Sequence, residues 1–355
     1  MQAMVGERLK AARLAAGLSL RRLAEQAGVS AQAISKYERG LDVPSSGVLL
    51  RLARALGVGV EYLLRPRPVL ALHPVYRCRA SLGRKQERAI LSHVQEWLER
   101  YLEVEDLLDK RPRFELPATL DRQVARGEDV ERVALQLRAA WSLGVDAIEN
   151  LVEVLEEQGI KVGLVDADER FDACTFRVED GTPVIAVNSR TPGDRQRFNL
   201  AHELGHLVLE PASGLDAEKA AHRFAGAFLV PEPAVRQELG SSRRVLSPYE
   251  LHLLKHKYGL SMQGWIHRAR DLGILSEARY SELFREYTRR GWRRREPGDE
   301  IPPEEPKRLE RLVFRALAED LISPARAAEL LGQPLASFLR HEAQRHGPFV
   351  EHACL

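Results

Sequence analysis

No apolar run in the sequence approaches the ~18 residues that a membrane-spanning helix needs. The first turns carry Glu7, Arg8, Lys10 and Arg13 where a secretory signal would be apolar. The expectation is a cytoplasmic protein with no membrane partner. Cysteine is scarce: Cys78, Cys174 and Cys354 lie far apart and form no CxxC pair, which argues against a disulfide framework and against a cysteine-based zinc site. An excess of one charge is also lacking. The net charge is +2, so partners must be sought in local charge rather than in the total. No internal repeat is present, and strand-like alternation is confined to a short stretch. The charged fraction of 29% and hydrophobic fraction of 44% exclude wholesale disorder, and 355 residues exceed what one ordinary core holds. Two or three domains are expected.

From residue 1 to about 66 the apolar spacing is helical throughout: Leu9 and Ala12, then Leu20, Leu23 and Ala24, then Ile34 and Tyr37, then Leu49, Leu52, Ala53 and Leu56. Arg65-Pro66-Arg67-Pro68 cannot continue a helix and marks a boundary. A linker and helical region follows over residues 67–150, with amphipathic spacing from Gly83 to Leu108 and again from Val130 to Glu157. Ile160 to Val165 and Val184 to Val187 are short, β-branched and bounded by breakers, and predict strands of a small sheet. Arg195 to Leu209 and Glu218 to Val230 predict helices, the second ending at Pro231-Glu232-Pro233. The unit containing them is placed at 151–290. A charged stretch with prolines from Arg290 to Pro306 precedes a C-terminal helical region within 291–355. The fold class expected is therefore multidomain and mainly α, with an α+β central unit.

In the N-terminal domain Gly28 permits a tight turn, and Ser30 is placed to cap the helix after it. Ile34 and Tyr37 take the buried side of that helix. Ala31, Gln32, Ser35 and Lys36, with Arg39 beyond them, are left outward, where they could enter a major groove. Gln32 suits a base edge, Ser35 a base or phosphate, and Lys36 and Arg39 phosphates. Residues 1–66 hold about twice as many basic as acidic side chains, an electrostatic footprint for duplex DNA. The stretch Ser19 to Glu38, continued by Arg39-Gly40 and Val43-Pro44, resembles the Cro/C1-type (XRE) helix-turn-helix family from Leu9 to Leu63. It departs at Leu20, where relatives commonly carry Gln. The resemblance implies DNA binding, and a homodimer is expected.

His202 and His206, at i and i+4 in an apolar helical stretch, project from one face and could bind one zinc ion. Glu203, beside the first of them, is placed to take a proton from an activated water. This His-Glu-x-x-His pattern needs a third ligand. Glu218 lies one turn before Ala221 on the packing face of the next helix and is the first choice; His222 is the nearest competitor, as ligand or as hydrogen-bond donor to a substrate oxyanion, and Asp216 a weaker one.

Phe171-Asp172, Val184-Ile185-Ala186-Val187-Asn188, Arg197 through His206, and Glu218-x-x-Ala-x-x-Phe224-Ala225-x-x-Phe-Leu-x-Pro231 together resemble the ImmA/IrrE metallopeptidase family, from about Leu151 to Leu275. Ala173 stands where relatives often carry Gly, and His222 where Asn is frequent. The resemblance implies a gluzincin-like zinc endopeptidase, with manganese as the alternative metal. It further implies a repressor-type protein as substrate, cleaved in a stress response. The other function class is a non-proteolytic transcription regulator whose metallopeptidase-like domain senses a ligand or metal. An intact Glu203 beside an open coordination position favours the enzyme. Arg293-Arg294-Arg295 receive no role.

Overall fold

A computed structural model describes residues 2–64, 72–74 and 84–346. The proposed boundary at 65–68, Cys78 and Cys354 lie outside the described residues.

Five helices form the N-terminal domain: α1 (Gln2–Ala15), α2 (Leu20–Ala27), α3 (Ala31–Glu38), α4 (Ser46–Leu56) and α5 (Val60–Leu64). Their apolar faces close one core from Leu9, Leu23, Ile34, Leu52 and Leu63. The α2–α3 turn forms for the reasons read from the sequence. Gly28 adopts φ +64°, a left-handed conformation that a Cβ disfavours. Ser19 and Ser30 accept hydrogen bonds from the backbone N–H of Arg22 and Ala33 as N-caps.

Next come β1 (Leu72–Pro74), the long helix α6 (Arg84–Leu108), β2 (Gln123–Val124), α7 (Gly127–Ala140) and α8 (Leu151–Glu157). The single amphipathic stretch expected from Val130 to Glu157 is thus two helices. Ser142 and Gly144 both take φ +57°, which breaks the helix, and Asn150 starts the second by capping Glu153 N–H. Strands β3 (Lys161–Val165), β4 (Ala173–Val178) and β5 (Pro183–Asn188) join β1 in a sheet of order β1-β4-β5-β3, parallel only between β3 and β5. β1 and β4 are additions to the strands expected. β4 mixes Thr175 and Arg177 with apolar residues and carries no β-branched run.

The sheet has a period of two in its burial. Val184 and Ala186 of β5, with Cys174, Phe176 and Val178 of β4, pack beneath Val94, Leu98 and Leu102 of α6. Ile185 and Val187 face the opposite side, into the core formed by α9 (Gly193–Val208) and α10 (Ala217–Leu229). Between these two helices lies the short β6 (Glu210–Pro211), which pairs with β2. Cys174 is disulfide-bonded. The spacing of the cysteines along the chain gave no sign of it, because distance along the chain does not set distance in space.

The chain continues through α11 (Glu232–Leu239), α12 (Pro248–Tyr258), α13 (Met262–Asp271), α14 (Glu277–Arg289), α15 (Arg308–Ala318), α16 (Pro324–Leu330) and α17 (Leu335–His346). Val104 of α6 packs into the core of the last three helices with Leu312, Val313 and Phe338. The N-terminal domain touches the same long helix, where Arg8 pairs with Glu99 at 2.6 Å. Among the described residues no helix is long and apolar enough to cross a membrane.

Candidate functional site

The motif helix α9 begins under a strap. Glu304 takes Arg197 in an ion pair and accepts the Val152 N–H, while its own backbone exchanges two hydrogen bonds with the Gln196 side chain. The helix ends on Arg122, whose guanidinium donates to the carbonyls of Val208 (2.7 Å) and Leu207 (3.3 Å). A cation at that end complements the helix dipole. Between these anchors α10 crosses α9 closely at Gly205, where a Cβ would lie 3.1 Å from the Phe224 ring and 3.2 Å from Ala221 Cα. That close crossing brings the start of α10 over the two histidines.

The three residues expected to bind metal converge there. His202 Nε2 and His206 Nε2 are 3.1 Å apart, and the Glu218 carboxylate lies 3.3 Å from the first and 3.5 Å from the second. Ligands of a tetrahedral zinc ion at about 2.0–2.1 Å are separated by roughly 3.4 Å. The three atoms are therefore spaced as ligands of one such ion would be. Among the described residues these three form the group able to hold a metal ion. Burial holds the His206 imidazole below its ordinary pKa, against the opposing pull of Glu218 and with help from His222. That favours the neutral ring, the form that ligates metal. Glu218 is 58% exposed and closes the site on its solvent side.

The competing ligands lie elsewhere. Asp216 is the N-cap of α10, accepting from the N–H groups of Glu218 and Lys219. The His222 ring rests 4.5 Å from that of His202 and stacks on Phe198 at 5.6 Å, beside the three-ligand group rather than in it.

Glu203 points to the sheet. Its carboxylate accepts a 2.6 Å hydrogen bond from the Thr175 hydroxyl, and both residues are buried. Thr175 was not among the residues picked out from the sequence. Its partner in β5 is Ile185, which faces α9, so the period of two places Thr175 on the same face. A strand assignment for 173–178 was the one signal that could have found it.

In the N-terminal domain Gln32, Lys36 and Arg39 are exposed on and just after α3, and Ser35 is half-buried. The Arg39 guanidinium folds back onto the Ser35 carbonyl at 3.2 Å. Ala31 is half-buried and packs against the domain core, so its outward surface is smaller than helix spacing suggested.

Comparison with known proteins divides the chain in the same way. Residues 9–63 match the family described as helix-turn-helix, and residues 155–270 match the IrrE N-terminal-like domain. An SPbeta prophage-derived uncharacterized HTH-type transcriptional regulator, YonR of Bacillus subtilis, is 40% identical over 62 residues, 18% of this chain and 57% of that protein. An uncharacterized HTH-type transcriptional regulator of Mycobacterium tuberculosis is 45% identical over 58 residues, 16% of this chain and 41% of that one. An uncharacterized transcriptional regulator in the ATPase CF(0) region of Rhodospirillum rubrum is 42% identical over 62 residues, 18% of this chain and 57% of its own length. The chain thus spans about half the length of these curated relatives. It joins a helix-turn-helix domain to an IrrE N-terminal-like domain.

Proposed function

We propose that this protein is a DNA-binding transcription regulator whose IrrE-like domain is a zinc-dependent endopeptidase acting on a repressor-type protein in a stress response. One observation carries the reading: three ligand atoms converge at tetrahedral spacing beside a buried carboxylate, Glu203, that is not one of them. A purely structural metal site needs no such neighbour and no open position.

The donor set suits zinc, and manganese is compatible with two imidazoles and a carboxylate. Bound there, the metal supplies Lewis acidity, polarising a water and the substrate carbonyl. The chain's own residues do the rest. Glu203 takes the water's proton and delivers it to the leaving amine. Thr175 holds one carboxylate oxygen of Glu203, which fixes the orientation of the other. His222, whose ring rests 4.5 Å from that of His202, is the candidate donor to the developing oxyanion. In the N-terminal domain the exposed side chains of Gln32, Lys36 and Arg39, with Ser35, contact the major groove and its phosphates, and a homodimer would pair two such helices on adjacent half-sites.

The test is to incubate zinc-loaded protein with candidate repressors and map cleavage by mass spectrometry, in parallel with Glu203→Gln. The variant should bind zinc and DNA and lose cleavage by about 10²–10⁴-fold. A native protein that cleaves no candidate, or a Glu203→Gln protein that regulates normally, ends the peptidase reading and leaves regulation through binding alone, whereas a Glu203→Gln protein that cleaves normally removes Glu203 as the proton carrier.

A further inference from the structure

A cleft of about 630 Å³ opens beside the metal-binding group at Phe198 and His222. Its walls carry Lys219, Arg223, Arg268 and Arg270, against Asp271 as the one acidic lining residue. Behind the wall, Glu131 is shared between Arg223 at 3.0 Å and Arg268 at 2.6 Å, and Asp271 takes Arg270 at 2.8 Å. Three of these four cations, the buried Arg268 among them, therefore draw on two close carboxylates. Lys219 has Asp216 only at 4.0 Å, across solvent, where an ion pair is screened and weak.

The excess continues away from the three-ligand group. His267 lines this cleft and also a second hollow of about 540 Å³, so the two adjoin. The second is lined by Arg285, Arg289 and Arg293, with Tyr280 and Phe284 in its wall; Arg289 is ion-paired with Glu286 just outside it, and among the described residues no acidic side chain lines the hollow itself. Arg293 lies over the Phe284 ring at 5.5 Å, which presents its guanidinium in a fixed orientation. Such a row recognises carboxylates by paired, charge-assisted hydrogen bonds. It also raises the local concentration of anionic segments. A nucleic-acid strand has the right sign of charge but would run its phosphates past Glu203, Glu218 and Asp216 at the head of the cleft. A peptide presents an uncharged amide there and carries its charges further along.

Resting on the peptidase reading, we propose that the two hollows form the substrate channel on one side of the scissile bond and that they select a polypeptide with Asp or Glu side chains in that flank. The full-length, zinc-loaded protein and its Glu203→Gln variant provide separate readouts. Three fluorescent peptides differing only in the flank, acidic, amide or lysine, are compared for binding to Glu203→Gln by anisotropy and for hydrolysis by the native protein. The acidic peptide should bind at least tenfold tighter than the lysine one, with the difference shrinking at high salt. Charge reversal by Lys219→Glu with Arg293→Glu, with urea unfolding followed by tryptophan fluorescence as the check on folding, should invert the order.

Cleavage of all three peptides at equal kcat/KM would overturn the channel's selectivity while leaving the peptidase standing. Selective capture by Glu203→Gln with no hydrolysis by the native protein would support the channel and remove the peptidase. Tighter binding of a single-stranded oligonucleotide, displacing the acidic peptide and weakened by the same charge reversal, would assign the hollows to nucleic acid and overturn the proposal.

Discussion

Glu156, at the end of α8, is fully buried, and its carboxylate accepts a 3.0 Å hydrogen bond from the Tyr101 hydroxyl of α6. Burial pushes its pKa up from 4.5 to about 7, against the lowering effects of the Tyr101 hydrogen bond and of Arg308. The folded state therefore holds the proton more tightly than the unfolded chain. Its contribution to stability is complete below about pH 4.5 and is lost as pH rises through 7, where the buried carboxylate must ionise. Each tenfold change in proton affinity is worth about 1.4 kcal/mol, so between pH 5 and pH 8 the loss is about 2–3 kcal/mol. Glu156→Gln keeps an acceptor for Tyr101 and carries no charge. It should match the native protein closely at pH 5 and exceed it by about 2–3 kcal/mol at pH 8. Urea unfolding followed by tryptophan fluorescence suits the measurement, because Trp97, Trp141, Trp265 and Trp292 all lie beyond the N-terminal domain. A stability difference that stays constant from pH 5 to pH 8 would refute the reasoning, since it would mean that Glu156 has the same charge at both.

Thr175→Val should leave zinc content intact and lower kcat/KM by about 10–100-fold, the worth of one hydrogen bond to a charged group, and Thr175→Ser should restore most of it. Replacing His202 or His206 with Ala should abolish stoichiometric zinc, and Glu218→Ala should lower affinity; full zinc retention in Glu218→Ala, measured by atomic absorption, would send the third ligand to His222 or Asp216. Gly205→Val puts a side chain where Phe224 and Ala221 already sit within 3.2 Å. It should cost about 1–3 kcal/mol in thermal unfolding and lower zinc affinity with it, by pushing Glu218 away. Lys36→Ala should weaken DNA binding on all sequences and reduce its salt dependence, while Gln32→Ala should relax preference at particular bases by about 1–3 kcal/mol, read by competition binding.

The sequence alone determined those parts whose physics is local. Gly28 and Ser30 specify the α2–α3 turn within a few residues of chain, and the i,i+4 spacing of His202 and His206 puts both rings on one helix face whatever surrounds them. That Glu218 would lie beside the two histidines could be expected because its helix has a clear packing face. What only the tertiary structure decided depends on elements far apart in sequence. Thr175 meets Glu203 because β4 pairs with β5 in one register, and a one-residue slip would turn it to the other face of the sheet. The break between α7 and α8 rests on left-handed backbone at Ser142, a residue with no strong preference for it. The disulfide at Cys174 and the cationic cleft are likewise invisible along the chain: Glu131 meets Arg268 across 137 positions, and no periodicity encodes that distance. Short-range preference can be read from neighbouring residues, whereas long-range contact is settled only when the apolar faces of sheet and helices close on one another.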